Sequence, residues 1–205
     1  MAISLPIPST KTLDTVAVPW RADETYQAYV TAQVAKTQRM RGYLAAHRIQ
    51  NLVRSLVHAD RRSPIGRSVL CIGCRNTFEI GTLHAAGFGP VMGIDLVRMH
   101  PTIQAMDMHA MSFPDAMFDV VFSCHSLEHA YDINAALREW RRVTVPGGTW
   151  AIEVPIRFSP TEVDRQDVGS LTGLRQECAP FLERPLWGEE SSDGTVARLI
   201  GQTYG

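Results

Sequence analysis

The rhythm of apolar and polar positions changes near residue 65. Upstream, residues 23–59 carry apolar side chains at helical spacing: Met40, Tyr43 and Leu44, then Ile49, Leu52, Val53 and Leu56, with Gly42 marking a break between two helices. Residues 1–22 are rich in Pro, Ser and Thr. Pro6, Pro8 and Pro19 block regular helix there, which predicts an extended arm over the surface.

After Arg67 the pattern becomes strand, helix, strand. Residues 69–72 form a continuous apolar run, as expected of a strand covered on both faces, and Phe78, Ile80, Leu83 and Ala86 suit the helix after it. Further strands are expected at 91–94, 103–106, 118–122 and 149–154. Between the last two, Asp132 can cap a helix with Ile133, Ala136, Leu137, Trp140 and Val143 on one face, ended by Pro146-Gly147-Gly148. Residues 171–182 read as helix. Segments 185–190 and 195–204 flank Ser192-Asp193-Gly194, a hairpin signal. The sum is an α/β, doubly wound sheet of seven mostly parallel strands with an antiparallel C-terminal hairpin and a helical N-terminal extension. The expected division is 1–65 as arm and helical lid and 66–205 as the sheet domain.

With 205 residues, 45% of them hydrophobic, the chain can build one sizeable core but not two full domains. A net charge of −1 gives no global attraction to nucleic acid or anionic lipid. Charge is uneven, however: Lys36, Arg39, Arg41, Arg48, Arg54, Arg61 and Arg62 face a single acid, Asp60, over residues 36–62. That cluster reads as a solvated helix face or, more sharply, as a basic rim for an anionic partner. No apolar stretch approaches the roughly 20 residues of a membrane span, and the N-terminus lacks a signal-peptide pattern, so a soluble cytoplasmic protein is expected. Cys71, Cys74, Cys124 and Cys178 are irregularly spaced and read as reduced thiols.

The candidate chemistry gathers at strand ends. Gly73 opens a tight turn after the first strand and Asp95 closes the second, the layout of a dinucleotide fingerprint without its later glycines: a turn that a ligand can approach closely, then a carboxylate able to hold ribose hydroxyls. His125-Ser126-Leu127-Glu128-His129 follows the fourth strand. It also reads as H-x-x-E-H, but that peptidase signature needs a regular helix, and this segment follows a strand. Cys71-x-x-Cys74 lacks the second pair of a zinc site.

Taken in order, Val69-Leu70-Cys71-Ile72-Gly73-Cys74, Gly93-Ile94-Asp95, Asp107 with Ser112-Phe113-Pro114-Asp115, Phe118-Asp119-Val120-Val121, Ser126-Leu127-Glu128-His129 and Val145-Pro146-Gly147-Gly148 resemble the class I S-adenosylmethionine-dependent methyltransferases of the small-molecule type. The resemblance covers residues 65–155 closely and makes 66–205 the cofactor-binding domain. It implies S-adenosylmethionine (SAM) as cofactor. Gly73, Cys74 and Arg75 would lie at its methionyl part, Asp95 on the ribose, and Leu96 over the adenine or ribose face. Asp107 would accept from the adenine amino group with the Met108 backbone beside the ring, and His125 would stand at the sheet edge. His129 or His125 would be the base for a hydroxyl acceptor, so O-methylation of a small molecule is favoured.

The first motif departs from that family. Cys71 stands where the strand acid is usual, and Arg75-Asn76-Thr77 replaces the later glycines. Arg75 is placed to meet the cofactor's carboxylate, Asn76 to tolerate a left-handed backbone, and Glu79, at the helix start, to compensate for the missing acid. Two alternatives follow: a catalytically degenerate SAM-binding or scaffold protein, and, more weakly, a nicotinamide oxidoreductase. No metal is expected, with a divalent ion on His125, Glu128 and His129 as the alternative. The loop 157–170, carrying Asp164, Arg165 and Asp167, could close over the acceptor with the N-terminal helices. The expected partner is a small-molecule acceptor, with neither nucleic acid nor membrane, and a homodimer is compatible with the chain.

Overall fold

The computed structural model describes residues 14–15, 20–40 and 42–205. Two helices come first, α1 (Glu24–Arg39) and α2 (Ala46–Ala59), separated by the break foreseen around Gly42. Asp23 caps α1 by accepting from the Tyr26 N–H. There follow β1 (Val69–Ile72), α3 (Phe78–Ala85), β2 (Val91–Asp95), β3 (Ile103–Ala105), β4 (Phe118–Cys124), a 3-10 turn (Leu127–His129), α4 (Ile133–Val143), β5 (Thr144–Pro155), α5 (Leu171–Cys178), β6 (Leu182–Glu190) and β7 (Val196–Thr203).

The seven strands form one sheet in the order β3-β2-β1-β4-β5-β7-β6. Strands β1 to β5 run parallel, and β7 pairs antiparallel with both β5 and β6. Alternation along β1 splits its side chains between two cores. Leu70 and Ile72 join Val121, Trp140, Trp150 and Leu174 on the face covered by α4 and α5, while Val69 and Cys71 join Leu52, Leu56, Leu83 and Phe122 under α2 and α3. Strands buried on both faces are what their unbroken apolar runs dictate. From β1 the chain steps to β2 and β3 on one side, then returns to β4 on the other, so a crevice opens at the C-terminal ends of β1 and β4.

Three local expectations need correction. Pro146-Gly147-Gly148 does not end α4. That helix stops at Val143, and the segment lies inside β5, where the register against β4 jumps from Phe118↔Thr144 to Val120↔Thr149. Gly148 is required by this bulge, since a Cβ there would sit 2.5 Å from the Thr144 methyl. Asn76 is not left-handed; its side-chain oxygen instead accepts from the Phe78 N–H at 3.0 Å, fastening the start of α3. The helix read over 171–182 stops at Cys178, and Leu182 already opens β6.

The basic residues of 36–62 do not form one free rim either: Arg62 ion-pairs with Asp60 and Lys36 with Asp164. Arg41 and most of the arm fall outside the described residues. The part of the arm that is described touches the domain, Thr15 bridging Val97 and the Asp14 carbonyl accepting from the Arg98 N–H. All four cysteines are free, and among the described residues no helix is long and apolar enough to cross a membrane.

Candidate active site

The crevice at the switch point contains about 570 Å3 of space, part of it open to solvent, and is walled by α1, the ends of β1, β2 and β4, and the segment after β3. Gly73, Arg75, Asp95, Leu96, Asp107, Met108, His125 and His129 all line it. Sequence-distant residues are thus brought to one place. Cys74 is the exception among the expected site residues. Its thiol is buried in the core under α3, 3.7 Å from the Ile94 carbonyl oxygen, and does not face the crevice. Gly93 makes room for that thiol, as a Cβ there would come within 2.3 Å of it.

Gly73 adopts φ +69°, and an added Cβ would lie 2.4 Å from Ser126 Oγ, which donates to the Ile72 carbonyl at 2.8 Å. The turn therefore needs glycine twice, for its left-handed backbone and for the close approach of the β4 loop. His125 is also left-handed, φ +55°, a conformation seldom held outside constrained sites. Its N–H donates to the Glu153 carbonyl at 2.8 Å, and its Nε2 stands 3.0 Å from Glu153 Oε1. Glu153 is fully buried. Burial pushes its carboxyl up, but His125 and Arg198 outweigh burial and hold it below the usual range.

Asp95, only 8% exposed, accepts from the Val97 N–H at 3.2 Å. Among the described residues no ion pair joins it to a cation, and burial pushes its carboxyl up to about 6. A buried carboxylate kept this poorly satisfied at a crevice fits a ligand with hydroxyl donors. Asp107 differs. Its Oδ2 accepts from Tyr26 Oη and, at 3.2 Å, from the Trp20 N–H; its Oδ1 accepts from the His109 N–H at 3.0 Å and meets His109 Nδ1 at 2.7 Å. The Tyr131 N–H donates to His109 Nε2, so Nδ1 carries the proton. Although burial alone would raise Asp107, these donors hold it below the ordinary value. The expected adenine contact is thus not open to Asp107 as it stands, because α1 and the arm fill its oxygens.

His129 and the loop 157–170 meet across the crevice. His129 Nδ1 lies 2.9 Å from Asp164 Oδ1, and Lys36 Nζ reaches the same oxygen at 2.5 Å. Hydrogen bonding to His129 is the largest influence on Asp164, and with Lys36 it keeps that carboxyl well below its usual range. Gln33 donates to the Val163 carbonyl at 2.6 Å, Tyr29 Oη to the His129 carbonyl at 2.8 Å, and the Arg165 guanidinium sits 4.7 Å from the centre of the Tyr131 ring. The loop is therefore closed on α1, as the sequence allowed. Asp164 as partner of His129 had no sequence signal: 35 positions separate them, and only the closed loop brings them together.

Glu128, 3% exposed, lies 3.6 Å from His125 Nδ1 and 3.8 Å from His129 Nε2. Among the described residues no set of three His, Cys, Asp or Glu side chains is arranged to hold a metal ion.

Residues 70–152 match the family model described as a methyltransferase domain. Over 81 residues the chain is 35% identical to malonyl-(acyl-carrier protein) O-methyltransferase of Halorhodospira halophila, a stretch that is 37% of this chain and 28% of that relative's length. Among solved structures it resembles the 1,6-didemethyltoxoflavin-N1-methyltransferase of Burkholderia thailandensis, solved with S-adenosylhomocysteine, at TM-score 0.70 and 15% identity over 98% of this chain and 99% of that one. A sarcosine dimethylglycine methyltransferase from Galdieria sulphuraria gives 0.62 and 13% over 76% and 85%. The 4+2 cyclase SpnF gives 0.60 and 15% over 74% and 80%. Residues 70–152 thus carry a methyltransferase domain, and the chain as a whole has the fold of solved SAM-dependent methyltransferases. The presence of a cyclase on the same fold leaves the reaction to be argued from the site.

Proposed function

We propose that the protein transfers a methyl group from SAM to a small-molecule acceptor, with a hydroxyl oxygen as the favoured target. The observation that carries this reading is the buried, poorly satisfied Asp95 carboxylate facing the crevice at the switch point. When bound, the cofactor supplies a methyl group on a sulfonium that is already a good leaving group. The chain's own part is to bind, align and dry the site.

Asp95 accepts the two ribose hydroxyls, Leu96 and the Met108 backbone flank the adenine, and Arg75, whose buried Nε has no partner among the described residues, meets the methionyl carboxylate. His129 is the base. With an Nδ1–H given to Asp164, its Nε2 keeps a lone pair to take the acceptor's hydroxyl proton. His125, held by Glu153 and the β4 turn, shapes the wall opposite. The closed loop 157–170 excludes water and sets acceptor choice, in keeping with the small molecule 1,6-didemethyltoxoflavin bound in the structurally similar Burkholderia thailandensis methyltransferase.

Titration calorimetry with S-adenosylhomocysteine, followed by mass-spectrometric screening of hydroxyl and amine acceptors, tests the proposal. No binding at millimolar ligand refutes it. Binding without turnover on any acceptor favours a degenerate SAM-binding protein, a second reading for which the specific observation is Cys71: its thiol is buried and held neutral where a carboxylate is usual.

A further inference from the structure

A second cavity, with about 790 Å3 of space, shares Gly73, Arg75, His125 and His129 with the first and extends under the break between α1 and α2. Asp95 lines the first cavity but not the second, and Glu79 the second but not the first. The Gly73–Arg75 turn is the ridge between them. A ligand with its sugar on Asp95 that crosses this turn delivers its far end to the Glu79 side.

Two orphaned atoms wait there. Among the described residues, Glu79 Oε2 and Arg75 Nε are each buried without a hydrogen-bond partner. One negative and one positive group, both under-satisfied, on either side of a turn that a ligand approaches closely, suit a zwitterion. Beside them, Cys71 occupies the strand position from which a carboxylate could have reached the same end, and its thiol feels the Glu79 charge.

Resting on the methyltransferase reading above, we propose that Glu79 is the acceptor for the α-ammonium group of the cofactor's methionyl end, in place of the carboxylate that Cys71 lacks. Arg75 takes the carboxylate of the same zwitterion. Burial pushes the Glu79 carboxyl up to about 7, so near neutrality the approaching ammonium also completes its ionisation. The charged and titratable groups around it are Arg75 on the turn, Cys71 on β1, Asp95 on β2, Cys124 on β4, Lys36 on α1, Tyr43 in the break, Arg48 on α2, and His125, Glu128 and His129 across the cavity.

The test compares S-adenosylhomocysteine with 5′-methylthioadenosine, which has the nucleoside thioether but no amino acid, by calorimetry on the full chain. Glu79→Gln should weaken S-adenosylhomocysteine about tenfold or more, the loss of a charge-assisted bond, and leave methylthioadenosine unchanged. It should also hold or raise the melting temperature, since it removes an unpaired buried charge. In the wild type, the advantage of S-adenosylhomocysteine over methylthioadenosine should grow between pH 5.5 and 7.5, and in Glu79→Gln it should stay flat. Equal binding of S-adenosylhomocysteine by variant and wild type, or equal loss of both ligands, overturns the proposal. If the wild type binds neither ligand, the proposed function falls with it, a distinct result.

Discussion

Replacing Asp95 with Asn should stabilise the ligand-free protein and weaken its hold on the nucleoside. Burial is the largest influence on this carboxyl, lifting it from 3.8 to about 6 although the Val97 N–H, Arg75 and His129 pull the other way. At about 1.4 kcal/mol per tenfold change in proton affinity, the ionised group costs about 3 kcal/mol at neutral pH. Asn removes the charge and keeps an oxygen for the Val97 N–H, so recovery of about 1–2 kcal/mol is expected, a rise of about 3–6 °C in Tm for a chain of this size. The folded value is raised, so the folded state keeps a proton that the unfolded chain releases. Stability from this group is therefore complete below pH 3.8 and is lost as pH climbs to about 6. Guanidinium unfolding of both proteins across pH 4 to 8 should show a stability difference near zero at the acid end, growing to a plateau above 6. Calorimetry should show S-adenosylhomocysteine binding weakened about 10- to 100-fold, from charge-assisted bonds to hydroxyls. An Asn variant that is less stable at pH 7.5, or a stability difference that ignores pH, would refute the idea that this carboxylate is held in reserve for a ligand.

Three further outcomes follow from the same geometry. His129→Ala should lower kcat about 100- to 10,000-fold with S-adenosylhomocysteine affinity nearly unchanged, and Asp164→Asn should lower kcat less; a KM effect alone in stopped assays would remove His129 from the proton transfer. Gly73→Ala should cost about 2–3 kcal/mol, from a left-handed alanine plus displacement of Ser126 from the Ile72 carbonyl, and chemical denaturation measures it. Lys36→Met frees the loop from one half-buried ion pair, and proteolytic cutting within 157–170 should accelerate about two- to fivefold; an unchanged rate would mean that Gln33 and Arg165 hold the loop by themselves.

What the sequence carried was local. Four-residue apolar runs such as Val69–Ile72, too short for a helix and closed by a turn glycine, read as strands buried on both faces, and Gly73 and Asp95 at their ends followed directly. The bulge at Gly148 was hidden because Pro-Gly-Gly is also a common helix stop, and only pairing with β4 decides between the two. Cys74 sits one residue past a turn glycine, where side-chain direction depends on the turn itself, and the missing Cβ at Gly93 leaves the space that its thiol fills. The His129–Asp164 pair was illegible for another reason. It forms between a loop after β4 and a loop after β5, and neither has a periodicity that fixes its path.

Asp107 shows how the N-terminal helices change a site that the sheet alone would define. An adenine amino group seeking this carboxylate competes with Tyr26 Oη and the Trp20 N–H for Oδ2 and with His109 for Oδ1. Displacing Tyr26 would strand a phenol that is fully buried among Trp20, Tyr29 and Tyr131, at a cost of about 1–3 kcal/mol, comparable to what the amine would gain. The cheaper arrangement leaves Asp107 fastening α1 over the crevice and gives the adenine edge to the main chain at Met108. Asp107→Asn should then lower stability, because Tyr26 and His109 lose a charged acceptor, while the ratio of affinities for S-adenosylhomocysteine and S-inosylhomocysteine, which differ at the adenine amine, stays within about twofold. If that ratio instead collapses while the melting temperature holds, Asp107 reads the amine directly and Tyr26 must give way when the nucleoside enters.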